Sequence, residues 1–162
     1  MRAKSCRYLL RWHHKMQHKV VFYFYNHIKH IFGGNMNFIT NKEKGNSGLG
    51  MAIAYFSTNN YTVSIPLNDT QDYDLVIEKN NILKTVQVKA TGCKRKNGVY
   101  QVALKSCGGT KGKTYKTIID TNIDYVFILT ENKEIYLIPK EEIQNRTTLN
   151  LCDKYEKYRV KI

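Results

Sequence analysis

The run from Gln71 to Gly92, QDYDLVIEKNNILKTVQVKATG, constrains the fold more than any other part of the chain. Two stretches of alternating apolar and polar residues flank Asn80-Asn81. Asparagine tolerates the left-handed backbone that both central positions of a two-residue type I′ hairpin turn require. With the turn placed there, the register follows. Ile77 faces Lys84, Val76 faces Thr85, Leu75 faces Val86, Asp74 faces Gln87, Tyr73 faces Val88 and Asp72 faces Lys89. Successive side chains point to opposite sides of a strand. Tyr73, Leu75, Ile77, Val86 and Val88 then share an apolar face. Asp72, Asp74, Gln87 and Lys89 share the other, with opposed Cβ atoms about 4.5–5.5 Å apart. A slip of one residue would scatter that polar cluster. Its plain reading is a solvated face with a cross-strand Asp72–Lys89 ion pair, worth little to stability. The functional reading draws its weight from Gly45, Gly48, the helix that follows them and a large positive charge.

That charge is +13 at pH 7, with Lys and Arg outnumbering Asp and Glu by 26 to 13. Such an excess favours a polyanionic partner, nucleic acid or an anionic membrane surface, and says little about fold. A length of 162 residues suits one domain with an appendage. Cys6, Cys93, Cys107 and Cys152 show no C-x-x-C spacing, which fits reduced thiols in a cytoplasmic protein better than a disulfide framework. All the histidines lie between His13 and His30, so a zinc site built with three of the cysteines is disfavoured.

Residues 1–35 stand apart. They hold seven Lys or Arg, no Asp or Glu, and every histidine. The apolar run VVFYFYNHIKHIF is too short and too interrupted to span a bilayer, and too short before Asn26 for a signal peptide. A DNA-binding arm and a membrane-surface helix are two readings of this extension. The favoured third is that it is not part of the native protein. Gly33-Gly34-Asn35-Met36 is what a purine-rich ribosome-binding site before a start codon would encode, so Met36 becomes the expected start. The domain expected is then 36–162.

Beyond the extension, Asn46-Ser47 reads as the cap of a helix with Leu49, Ile53, Ala54 and Phe56 apolar, ended by Asn59-Asn60. Strands are expected at Tyr61–Pro66 and Val99–Leu104, and a second hairpin at Tyr125–Leu129 and Glu134–Ile138. A flexible loop is expected at Gly108–Lys113, a helical turn at Tyr115–Ile119 and a short helix at Lys140–Gln144. Tyr155, Tyr158 and Val160 read equally as a last strand or an interface. The fold class is α+β with a mixed or antiparallel sheet.

With these elements in place, K-G-N-S-G at Lys44–Gly48, Y-D-L-V-I at Tyr73–Ile77 and V-Q-V-K at Val86–Lys89 resemble the PD-(D/E)XK nucleases. The resemblance runs from about Lys42 to Pro139, with Ile123–Phe127 and Ile135–Pro139 similar to later strands. It is nearest the group I intron-encoded homing endonuclease branch, where Gln takes the acidic place before x-Lys. It implies a restriction-endonuclease-like α/β/α core, a mixed sheet flanked by helices. It also implies Mg²⁺-dependent hydrolysis of double-stranded DNA, with Mn²⁺ able to substitute. On this resemblance Asp74, Gln87 and Lys89 are the catalytic set. Asp74, Gln87 and the Val88 backbone carbonyl supply oxygen ligands of the kind Mg²⁺ takes, with Asp72 as a further candidate. Lys89 orients the attacking water and stabilises the developing charge. One departure stands out: the family's first helix commonly carries Glu after K-G-x-x-G, and here the residue is Leu49. That departure supports a rival reading, a nuclease-derived DNA-binding protein that no longer cuts. A junction-resolving or restriction-type nuclease is a rival within the class, and a membrane-surface protein built on residues 1–35 is a rival outside it.

Lys44, Lys94, Arg95, Lys96, Lys105, Lys111, Lys113 and Lys116 are the expected phosphate contacts, whose affinity would fall steeply with salt. Cys107–Thr114 mimics a P-loop but has Cys where the first glycine belongs, so an NTPase is rejected. His13, His14 and His18 have no acidic partner and carry little weight as a metal site. Cutting both strands of a duplex calls for two active sites, so a homodimer or higher oligomer is expected, with no membrane role.

Overall fold

The computed structural model describes residues 36, 38, 40–68, 70–104, 118, 120–144 and 146–161 in full, and the backbone of 106–107, 115–116 and 119. The elements all fall within the compact unit Asn37–Ile162. In chain order they are α1 (Asn41–Thr58), β1 (Thr62–Ser64), β2 (Leu75–Lys79), β3 (Ile82–Thr91), β4 (Gln101–Ala103), β5 (Ser106–Cys107) and β6 (Tyr115–Lys116). Then come β7 (Tyr125–Thr130), β8 (Ile135–Pro139), α2 (Lys140–Ile143), β9 (Thr148–Asn150) and β10 (Arg159–Val160), with 3₁₀ turns at Ile118–Asp120 and Asp153–Tyr158. Residues 1–35 and the loop expected at Gly108–Lys113 lie outside the described residues.

Helix α1 starts earlier than the sequence reading placed it. Thr40 is the N-cap: its hydroxyl accepts the Glu43 N–H at 3.1 Å, while the Glu43 carboxylate accepts the Thr40 N–H at 2.9 Å. This reciprocal box satisfies two of the donors a helix start leaves open. The helix it starts carries Gly45, Gly48 and Gly50 in its interior, each costing about 1 kcal/mol relative to Ala. The buried stripe is Gly48, Met51, Ala52 and Phe56; Leu49, Ile53 and Ala54 are half-buried. Only Phe56 of the expected apolar set reaches full burial. Its ring meets those of Tyr55, Tyr61 and Phe127 at centroid distances of 5.1, 5.4 and 6.0 Å. The helix ends at Asn59-Asn60 as expected, with Asn60 at φ 61°.

The main sheet has six strands in the order β1-β2-β3-β7-β8-β10. The central pair, β3 and β7, is parallel and every other pair is antiparallel, so the sheet is mixed. Helix α1 packs on β1, β3 and β7. The opposite face is covered by a second core, in which Val126, Ile128, Tyr136 and Ile138 of the sheet meet Val102, Leu149 and Tyr155. The two-stranded pairs β4–β9 and β5–β6 complete the described strands. Thus Tyr115 and Lys116 form a strand, and the helical turn expected there comes later, at Ile118–Asp120. The strand expected at Tyr61–Pro66 is trimmed to Thr62–Ser64. Of the C-terminal residues Val160 lies in a last strand, β10, which pairs with β8 and whose Arg159 reaches Glu134 at 2.9 Å, while Tyr155 and Tyr158 belong to the preceding 3₁₀ turn and pack against the second core. Among the described residues no helix is long and apolar enough to cross a membrane.

The first hairpin forms about Asn80-Asn81, at φ 55° and 62°. Its register pairs Leu75 with Val86, Val76 with Thr85 and Ile77 with Lys84, as expected. The ladder then stops. Asp74 donates its N–H to the Val86 carbonyl at 2.9 Å, the same residue Leu75 already faces. This one-residue slip moves the preceding side chain to the other side. Tyr73 therefore packs against the second core rather than sharing a face with Leu75. The face of Gln87 and Lys89 is not a solvated one either. Their partners on β7 are Val126 and Ile128, which belong to the second core, and Gln87 is only 5% exposed.

Where β3 and β7 begin side by side, Asp124 ties them together. One carboxylate oxygen accepts the Thr85 N–H at 2.7 Å and the Thr85 hydroxyl at 3.1 Å; the other meets Lys84 Nζ at 2.8 Å. Partial burial by itself raises the Asp124 pKa, but the Lys84 and Thr85 hydrogen bonds outweigh it and hold the carboxyl below its usual value. A depressed carboxylate contributes stability that is present above the unfolded pKa, near pH 4, and is lost as pH falls through the folded one. Asp124→Asn is therefore expected to lower stability at pH 7, with the deficit relative to wild type shrinking below about pH 4. Urea denaturation at a series of pH values measures this; a deficit constant with pH would contradict it.

Candidate active site

Strand β3 carries Gln87, Val88 and Lys89 in succession, and the segment before β2 brings acids to them. A strand turns the N–H and C=O of alternate residues to the same edge. Val86 accepts from Asp74, so Val86 and Val88 both turn toward β2. Strand β2 begins at Leu75, so among the described residues no strand partner is paired opposite Val88 on that edge. The Asp74 side chain fills that place: Oδ2 accepts the Val88 N–H at 2.6 Å. The short distance is that of a charge-assisted bond. The Val88 carbonyl leaves the strand on the same edge, so a carboxylate and a carbonyl oxygen sit side by side. Asp74 is exposed.

Gln87 points into the second face and is held there. Its Nε2 donates to the Asp72 main-chain carbonyl at 3.2 Å. Lys89 lies two residues along on the same face, half-buried, opposite Ile128. Asp72 is half-buried beside Gln87. The structure thus brings Asp72, Asp74, Gln87, Val88 and Lys89 to one stretch of sheet, by a kinked segment rather than by the straight ladder expected.

Helix α1 backs this stretch. A Cβ on Gly48 would stand 3.2 Å from both Ala90 Cβ and Val88 Cγ1, so glycine lets the helix backbone lie against the strand. Gly45 has open space where a Cβ would go. Leu49, in the place where the resemblance expects an acid, is half-buried. Glu43 is committed to the cap of α1.

The expected phosphate contacts divide. Lys94, Arg95 and Lys96 are exposed just beyond β3. A tight turn presents them, closed by hydrogen bonds from Arg95 N–H to Val99 O and from Gly98 N–H to Arg95 O, both 2.9 Å. Lys94 Nζ lies 4.7 Å from the centre of the Tyr100 ring, a cation–π placement. Lys44 sits on α1 with Nζ donating to Asn41 Oδ1 at 3.1 Å. Lys105, Lys111 and Lys113 lie outside the described residues, and so does the side chain of Lys116.

The oxygens gathered here suit a hard divalent cation. Asp74 offers a carboxylate, Gln87 an amide oxygen and Val88 a carbonyl, with no nitrogen or sulfur ligand among them. Among the described residues no three His, Cys, Asp or Glu cluster as a metal site. Any cation would therefore lean on neutral oxygens as well as carboxylate. Sequence reasoning missed the Thr40–Glu43 cap and the Tyr73 anchor. The T-N-K-E pattern of Thr40–Glu43 was the available signal for the first.

The PD-(D/E)XK endonuclease family model matches residues 39–161, from just before α1 through β10. Among solved structures, a bacterial homing endonuclease, I-Ssp6803I, is similar, with a TM-score of 0.60 and 26% sequence identity. The likeness covers 74% of this chain and 88% of that one. No curated protein matches the chain.

Proposed function

Because the chain belongs to the PD-(D/E)XK endonuclease family, we propose that it hydrolyses double-stranded DNA in a Mg²⁺-dependent, site-specific manner, in the way of a homing endonuclease. The observation that carries this reading is the 2.6 Å contact of Asp74 with the Val88 N–H, which sets a carboxylate against the strand bearing Gln87 and Lys89. Asp74, Gln87 Oε1 and the Val88 carbonyl would hold Mg²⁺ or Mn²⁺, with Asp72 close by as a further acid. The cation supplies a bound water of lowered pKa and neutralises charge at the scissile phosphate. Asp74 is the one firm negative charge in that set, so cation binding leans on the DNA phosphate itself. Lys89 places its ammonium beside the attacked phosphorus, where it orients the water and stabilises the developing charge. Lys94, Arg95 and Lys96 contact backbone phosphates from the turn beyond β3. Two copies cut the two strands, so the working unit is a homodimer or larger.

The test is Lys89→Ala. It is expected to leave cation and DNA binding within a few-fold and to lower the single-turnover cleavage rate by about 10²–10³. Cleavage at the wild-type rate would remove Lys89 from the chemistry. A second reading has one observation in its favour. With Leu49 at the expected acid position and Glu43 held in the helix cap, the chain would be a DNA-binding protein of nuclease descent that does not cut. Tight DNA binding without cleavage on any substrate, four-way junctions included, would favour that reading.

A further inference from the structure

The family's own description writes Asp or Glu two residues before the lysine, and this chain has Gln87 before Lys89. The backbone supplies a reason. Gln87 Nε2 donates to the Asp72 carbonyl at 3.2 Å, at a position only 5% exposed. A carbonyl can only accept, so the amide nitrogen must face it and the amide oxygen must face away. An ionised carboxylate can also only accept. Glutamate at 87 would set an anionic oxygen against the carbonyl oxygen in a buried place, a repulsion that the amide does not meet. The carbonyl is there because the ladder slips at Asp74. Tyr73 turns into the second core, and Asp72 is carried over β3 instead of running on as a strand.

We infer that the Asp72 main-chain carbonyl, anchored by Tyr73, makes position 87 selective for an amide: it pins Nε2, so that Oε1 is the atom offered to a hard cation, and it excludes the carboxylate. The cation clause rests on the nuclease reading; the exclusion of the carboxylate does not. Asp72 is thereby a positioning residue acting through its backbone.

The experiment compares Gln87→Glu and Gln87→Met with wild type in the full chain. Thermal unfolding is followed at neutral pH in excess chelator, and Mn²⁺ alone is then titrated by calorimetry. In chelator, Gln87→Glu is expected to melt roughly 5–10 °C below wild type. Gln87→Met, which loses the hydrogen bond without adding a charge, should lose less. The gap between the two variants should narrow in a Tyr73→Ala background, where the carbonyl is released; a purely local packing defect would not respond in that way. Gln87→Glu melting at or above wild type in chelator would overturn the inference. In the second arm, added charge at 87 should raise Mn²⁺ affinity by less than about tenfold, because the carboxylate is held off its geometry. A tenfold or greater gain would overturn the selectivity. A wild type that binds no Mn²⁺ even when double-stranded DNA is present would overturn the nuclease reading and the cation clause with it, and leave the result in chelator standing on its own.

Discussion

Asp74→Asn is expected to abolish cleavage while leaving the fold and DNA binding in place. The substitution keeps an oxygen that accepts the Val88 N–H, so the kinked segment stays attached to β3. What it removes is the negative charge held against that strand edge. If the cation supplies several kcal/mol of transition-state stabilisation and Asp74 is its firm anionic ligand, the rate falls roughly a thousandfold or more. Asp74→Ala loses the acceptor as well, and should cost about 0.5–1.5 kcal/mol of stability on top. Single-turnover cleavage and urea unfolding of the two variants separate these effects. Equal cleavage by Asp74→Asn and wild type would place the metal elsewhere.

The largest effect on stability is expected from Phe56→Ala. Phe56 is wholly buried where α1 meets the sheet, and its ring contacts Tyr55, Tyr61 and Phe127. Removing a buried ring forfeits its transfer free energy and leaves a cavity the surroundings fill only in part, at about 3–5 kcal/mol. The neighbours are rigid rings on a helix, a turn and a central strand, so the upper half of that range is expected. Equilibrium urea denaturation measures it. The hairpin carrying the candidate site is also held to β7 by its strand pairing, to which this ring adds no hydrogen bond. On the proposed function, any variant that remains folded should therefore cleave DNA as the wild type does. A loss below about 1 kcal/mol would mean that α1 contributes little to the core.

The hairpin was legible in the sequence because two local signals agreed there: Asn80-Asn81 for the turn and alternation for the faces. Leu75, Val86 and Ile77 lie where that pattern put them. Tyr73 does not. Alternation assumes an unbroken ladder, and the slip at Asp74 is a tertiary event driven by a tyrosine that finds the second core. Gln87 was recognisable as a site candidate, but its burial was not, because the residues that cover that face are distant in sequence. Leu149 and Tyr155 are examples. The start of α1 was misplaced for a different reason. Asn46-Ser47 looked like a cap, while the reciprocal Thr40–Glu43 pair lay upstream. The mixed sheet could not be settled from local pattern, since parallel pairing of β3 and β7 depends on a long connection between them.

The most direct test of the central claim is nicking of supercoiled plasmid by the purified chain at low salt. Mg²⁺ and Mn²⁺ are tried separately, with a chelator and Asp74→Asn as controls. Mn²⁺ is included because a rare cutter can lack a cognate site in a plasmid, and a more loosely demanding metal relaxes that requirement. Nicking that needs the metal and disappears with chelator and with Asp74→Asn is the result predicted. DNA bound but left intact in both metals, on the plasmid and on the chain's natural target, would contradict it and leave a DNA-binding protein of nuclease descent.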